Sequence, residues 1–165
     1  MKKLLISLVA LLSLSFAAQA QDYDFTAGVR IGYGAAFSLE ATGQVFVNDI
    51  NRIEVDLGMR FNRDTPVKDI YYPYGPILTT AWHWHWFLAG GFGIYGGPAL
   101  QFSLPAWHHF SMGAGAQVGF DYQFDAPFQI SVDFRPIYNF FGPFHGYNGK
   151  QGFDPNVAIG LRYAF

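Results

Sequence analysis

From Asp24 to the C-terminal Phe165 the chain alternates large apolar residues with small or polar ones. The last nine residues show it most clearly. Val157, Ile159, Leu161, Tyr163 and Phe165 hold the odd positions, and Ala158, Gly160, Arg162 and Ala164 the even ones. A period of two is that of a β-strand, whose successive side chains point to opposite faces. One face here is continuously apolar and the other carries Gly, Ala and a charge. That is the pattern of a strand with lipid on one side and a polar lumen on the other.

Clusters of Gly, Pro, Asn and Asp cut the chain into eight such segments, near 24–33, 36–47, 52–61, 77–86, 88–103, 110–124, 128–140 and 157–165. The third is the most regular, with Ile53, Val55, Leu57, Met59 and Phe61 set against Arg52, Glu54, Asp56, Gly58 and Arg60. Pro136 in the seventh predicts a bulge, because proline cannot donate to a ladder. The connections near 48–51, 85–88 and 125–127 are short, and those at 62–76, 104–109 and 141–153 are longer. Short and long alternate as periplasmic turns and extracellular loops do in membrane barrels. The tight Gly34 turn is the exception. These features predict an all-β fold, a closed antiparallel eight-stranded transmembrane β-barrel with up-and-down meander order. Closure follows because an open edge would leave amides unpaired in hydrocarbon.

Outward aromatics gather at the strand ends, as interfacial girdles do. Trp82, Trp84, Trp86, Phe124, Phe128, Tyr163 and Phe165 fall toward the turn end, and Tyr33, Phe61, Phe102 and Phe110 toward the loop end. A soluble lipocalin-like barrel would reverse the faces, apolar inside and polar outside.

The N-terminus adds an address. Met1-Lys2-Lys3 is a basic n-region, Leu4 to Phe16 an apolar run too short to span a bilayer comfortably, and Ala18-Gln19-Ala20 a small-x-small cleavage site. Residues 1–20 therefore read as a cleaved signal peptide and 21–165 as one barrel domain. Composition agrees with the pattern. Aromatics are 19% of the chain and charges 13%, against about 25% charged in ordinary soluble domains. Beyond the signal, eight basic and twelve acidic residues remain, which excludes a nucleic-acid role for want of a basic patch. No cysteine is present, so lipid-modified cysteine, disulfides and thiolate metal sites are excluded.

On these residues the chain resembles the small eight-stranded outer-membrane β-barrel proteins of Gram-negative bacteria, over all of residues 21–165. The ending Leu161-Arg162-Tyr163-Ala164-Phe165 is similar to the terminal signature that the barrel-assembly machinery reads in that class, with Phe165 as the signal residue. Arg30-Ile31-Gly32-Tyr33-Gly34 and Val132-Asp133-Phe134-Arg135-Pro136 resemble segments of an uncharacterised subfamily of such barrels. The resemblance implies residence in the bacterial outer membrane and partnership with outer-membrane lipid.

The inward set of the pattern is a charge network. Arg30, Arg52, Arg60, Arg135 and Arg162 stand against Glu40, Glu54, Asp56, Asp121 and Asp133, five of each sign. A narrow interior requires such balance, since an unpaired buried charge is strongly unfavourable. Eight strands leave room only for side chains, so a narrow pore is the weaker reading. His83 and His85 share a strand face, but no carboxylate or third histidine adjoins them, so a structural role is expected over a metal site. His109-Phe110-Ser111 resembles the His-x-Ser pair of barrel lipid A deacylases. Against that alternative, Ser111 falls on the lumen face, Met112 replaces that family's Asn, and no glutamate follows Ser111. No catalytic residue, metal or cofactor is therefore assigned. The expectation is a non-enzymatic barrel with a side-chain-plugged lumen. Its extracellular loops, including Arg63, Asp64, Lys68 and Asp69, would serve a structural role or contact an extracellular ligand, host or matrix partner.

Overall fold

The computed structural model of the chain describes residues 24–61, 74–104, 110–142 and 152–165. Eight strands occupy them: β1 Phe25–Gly34, β2 Phe37–Phe46, β3 Asn51–Phe61, β4 Tyr74–Phe87, β5 Phe92–Ser103, β6 Ser111–Gln123, β7 Phe128–Phe141 and β8 Phe153–Ala164. Each pairs antiparallel with the next, and β8 pairs back onto β1 to close the barrel. No strand edge is left to face hydrocarbon, which is what a spanning sheet requires.

The stagger of the barrel determines which side chains meet inside it. From Ala27 a cross-strand row runs through Gly43, Val55, Thr80, Leu100, Ala114 and Tyr138 to Phe153. On its other side Ala27 faces Tyr163. The row thus returns to β8 ten residues out of register. Closing a sheet demands such a shear, and with eight strands the interior is just wide enough for side chains to fill.

One end of the barrel carries the short turns. Asn48 caps the β2–β3 turn, its Oδ1 accepting from the amides of Ile50 at 3.1 Å and Asn51 at 2.9 Å. The β4–β5 turn uses Gly90 and Gly91 at φ 68° and 83°, a region that side-chain-bearing residues avoid. At the opposite end β3, β5 and β7 finish and β4, β6 and β8 begin. The β1–β2 connection at that same end is only Ala35 and Ala36 long, the tight turn that the Gly34 region predicts.

Three expectations need correction. β4 begins at Tyr74, so Gly75 and Pro76 belong to a strand and not to the preceding loop. β8 begins at Phe153, which brings Asp154 and Asn156 onto the barrel wall. Pro136 is not a bulge. It faces Pro155 in unbroken register, and the two prolines simply forgo ladder bonds without inserting a residue. The bulge lies at Phe140, because Met112 faces Phe141 while Gly113 faces Asn139.

The faces divide as the alternation predicts. Val29, Ile31, Leu57, Phe120, Val157 and Ile159 stand exposed on the outside, whereas the buried positions are dominated by Arg, Asp, Glu, Gln, Ser and Thr. Among the described residues the buried apolar cluster is only Ala81, Ala99 and Ile137. The barrel is inside-out relative to a soluble one.

Candidate functional site

All ten charged residues of the predicted inward set are buried in the lumen, and the structure gives each a place. At mid-height Arg30 on β1 faces Glu40 on β2. Its Nη1 donates to both Glu40 oxygens at 3.1 Å, its Nη2 to Asp133 Oδ1 at 2.5 Å and to Asn156 Oδ1 at 3.0 Å. Arg135 donates through Nη2 to Glu40 and through Nη1 to Asp56, both at 2.6 Å. Asp133, Arg30, Glu40, Arg135 and Asp56 thereby form one chain of alternating sign across β1, β2, β3 and β7.

Below it Arg162 donates to Glu54 at 3.3 Å, Ser131 Oγ at 2.7 Å and Thr42 Oγ1 at 3.2 Å. Glu54 also accepts from Gln117 Nε2 at 2.9 Å and from Gln44 Nε2. Toward the turn end Arg52 donates to Asp121 at 2.8 Å, and His85 Nε2 lies 3.0 Å from both Asp121 oxygens. The Arg52 guanidinium stacks 4.3 Å from the Tyr95 ring centre, a cation–π contact. His83 Nδ1 sits 3.5 Å from Arg52 Nη2. Phe46 and Phe87 lie on the polar face yet close this end, their rings 5.3 and 4.4 Å from that of His85. Nothing in the strict alternation announces these two rings.

Toward the loop end Arg60 pairs with Asp154 at 2.5 Å. Asp154 escaped the sequence reading because Gly-rich residues and Pro155 mark its surroundings as loop. Among the described residues it makes six lumen carboxylates against five arginines, not five against five. Among the described residues six arginine–carboxylate pairs cross between non-adjacent strands: Arg60–Asp154 and Arg162–Glu54 join β3 to β8, Arg135–Asp56 joins β3 to β7, Arg52–Asp121 joins β3 to β6, Arg30–Asp133 joins β1 to β7, and Arg135–Glu40 joins β2 to β7. Strand β3 anchors four of the six.

Glycines give these side chains room. A Cβ on Gly119 would lie 2.7 Å from the Tyr95 ring and from Val132 O, and one on Gly93 would lie 2.6 Å from His85 Nε2. On Gly43, facing outward, the nearest atom would be 3.8 Å away. Gly119→Ala is therefore expected to lower unfolding stability by about 1–3 kcal/mol through overpacking, with Gly43→Ala close to neutral. Urea unfolding of the refolded barrel would reveal the difference, and equal effects would contradict it.

The remaining candidates fall as follows. Trp82, Trp84, Trp86, Tyr163 and Phe165 are all exposed on the outer wall toward the turn end, and Trp82 Nε1 donates to Asn51 Oδ1 at 3.1 Å. His83 and His85 point into the lumen, engaged with Arg52 and Asp121. Among the described residues no cluster of three or more His, Asp or Glu has the arrangement to hold a metal ion. Ser111 is buried on the lumen face, with its Oγ donating to Phe141 O at 3.0 Å. His109, the four charged residues of the 62–73 segment and residues 1–20 lie outside the described residues.

No protein-family model and no curated protein sequence matches the chain. Solved structures do. The crystal structure of Neisserial surface protein A matches with a TM-score of 0.61 at 16% identity, covering 86% of this chain and 94% of that one. The N-terminal β-barrel domain of Pseudomonas aeruginosa OprF matches with a TM-score of 0.62 at 14% identity, covering 89% and 100%. A de novo designed transmembrane β-barrel matches at 0.55 and 14%, covering 89% and 100%. The chain has the fold of small eight-stranded outer-membrane β-barrels.

Proposed function

We propose that the chain is a non-enzymatic outer-membrane barrel whose lumen is plugged by its own side chains, and that it acts as a structural or surface-interaction protein through its loop end. The observation that carries this reading is the set of six arginine–carboxylate pairs crossing the lumen between non-adjacent strands. Stacked from loop end to turn end, they support a lumen in which a passing ion would have to displace a paired arginine. The apolar exterior and the rings at both ends support immersion in lipid. The signal-like residues 1–20 support export, with cleavage after Ala20, and the terminal Phe165 supports recognition by the barrel-assembly machinery.

The burial of Ser111, its hydroxyl turned to a backbone carbonyl, weighs against a lipid-cleaving site, because such a nucleophile must meet lipid on the outer wall. Purified protein in planar bilayers is expected to show no steady conductance. Reproducible open channels from pure protein would overturn the plug and favour the pore.

A further inference from the structure

The ladders of the barrel are not equally continuous. Over the described residues six of them run without a gap. The other two flank the β5–β6 hairpin on either side. Between β4 and β5 the pairing lapses from Ala81–Ala99 to Trp84–Gly96, leaving out Trp82 with Pro98 and His83 with Gly97. Between β6 and β7 it lapses from Gly115–Ile137 to Val118–Phe134, leaving out Ala116 with Pro136 and Gln117 with Arg135. Each gap holds one proline, which brings no N–H to a ladder. Register is the same on both sides of each gap. No residue is inserted, and the strands simply stand unpaired there.

Behind the two gaps lies the apolar cluster of the lumen. Ala81–Ala99 and Gly115–Ile137 are the last pairs before the gaps, and Ala99 faces Gly115, so the four form one cross-strand row. Three of its members, Ala81, Ala99 and Ile137, are that buried cluster. The fourth, Gly115, stands between Ala99 at 2% and Ile137 at 1% exposure. It is itself exposed, unlike Gly93, Gly97, Gly113 and Gly119 on the same two strands. With both neighbours buried inside, Gly115 is reached from the outer side. Val118 and Phe134 there border the gap toward the turn end and Tyr138 toward the loop end, all three exposed. The β6–β7 gap is thus continuous with the apolar outer wall.

We propose that the β6–β7 gap is a side window that seats one acyl chain of a membrane lipid, its end passing Gly115 to rest on Ala99 and Ile137. The chemistry of the path selects this occupant. The outward residues at the gap are Ala116 and Pro136, and the row behind it is apolar. The inward residues, Gln117 and Arg135, already donate to Glu54 and to Asp56 and Glu40. Two unpaired residue positions make an opening about 7 Å long, suited to a single extended chain. Parting paired strands in hydrocarbon would orphan amides, whereas here the pairing is already absent. The β4–β5 gap is the poorer entry, because the bulky Trp82 stands where β6 has Ala116. The inference goes beyond the plugged-lumen reading and rests on the immersion of the outer wall in lipid.

The test uses full-length barrel refolded in phosphatidylcholine vesicles that contain a small fraction of phosphatidylcholine with a diazirine at the end of one acyl chain. After illumination, the cross-linked residues are located by mass spectrometry. Ala158 is the reference, since it is as buried as Ala99, at 2%, but lies behind the continuous β7–β8 and β8–β1 ladders. Cross-linking at Ala99 and Ile137 is expected to exceed that at Ala158 at least about tenfold, because a residue behind an unbroken ladder meets lipid only in rare local openings. Ala116→Phe fills the gap from its exposed outer side and should abolish that excess while Val132 on the outer wall stays labelled. Ala116→Leu serves in its place if Ala116→Phe does not give the compact, heat-modifiable form. Equal labelling of Ala99, Ile137 and Ala158, or an excess that survives the filled gap, would overturn the window. Labelling of Val132 reports immersion separately, so failure of the window and failure of the membrane reading are distinguishable.

Discussion

Glu40→Ala should destabilise the barrel on the order of 3–5 kcal/mol, the cost of removing one partner from a buried charge group. Among the described residues Glu40 is the one carboxylate that holds two arginines, Arg30 and Arg135. Each keeps a second acceptor, Asp133 for Arg30 and Asp56 for Arg135. The alternation of sign through the five-member chain is nevertheless broken at its centre, and two guanidinium groups then face each other with no carboxylate between them. Asp133→Ala should cost less, because Arg30 retains both Glu40 oxygens. Val29→Ala, exposed on the outer wall, trades one lipid contact for a smaller one and should be nearly silent. Urea unfolding in vesicles ranks the three. An Asp133→Ala effect larger than that of Glu40→Ala, or a Val29→Ala effect equal to either, would contradict the central place given to Glu40. The size of the loss also reads out hydration, since water reaching the exposed guanidinium groups would reduce it.

That ranking could not be made from the sequence, although the residues themselves could be named there. Which residues face inward follows from parity along each strand, and parity survives small errors at strand ends. Which inward residues meet depends on the ten-residue stagger of the closed barrel, and no local pattern encodes it. Arg135 and Asp56 are 79 positions apart, and Arg30 and Asp133 are 103 apart. Both pairs meet because the stagger lifts one strand relative to another. Asp154 was hidden for a different reason. Proline and glycine signal loops locally, yet Pro155 here lies opposite Pro136, where neither needs a ladder bond. Phe46 and Phe87 break the rule that rings face lipid. They sit where the lumen opens at the turn end, and there an apolar ring can shield Arg52, His85 and Asp121 from solvent.

Phe165→Ala should lower the amount of folded barrel in cells several-fold while leaving the isolated protein only slightly less stable. The two effects have separate causes. In the folded barrel Phe165 is the most exposed of the outer-wall aromatic residues among the described residues, at 69%. It touches Phe25 and Tyr163, with ring centres 5.6 and 4.9 Å away. Its amide donates to Phe25 O at 2.9 Å, closing the β1–β8 seam, and alanine keeps that amide. Losing the ring pairs should cost about 0.5–1.5 kcal/mol beyond lost area, too little to empty the membrane of a barrel that has already closed. A larger loss in cells must then arise before closure, when the last strand is still free and its terminal ring is available to the assembly machinery. The discriminating measurement pairs the heat-modifiable band from whole cells with urea unfolding of the same variant refolded in vesicles. A drop in the first with little change in the second places the role of Phe165 in assembly. Parallel losses in both would place it in the seam, and unchanged cellular levels would remove it from either.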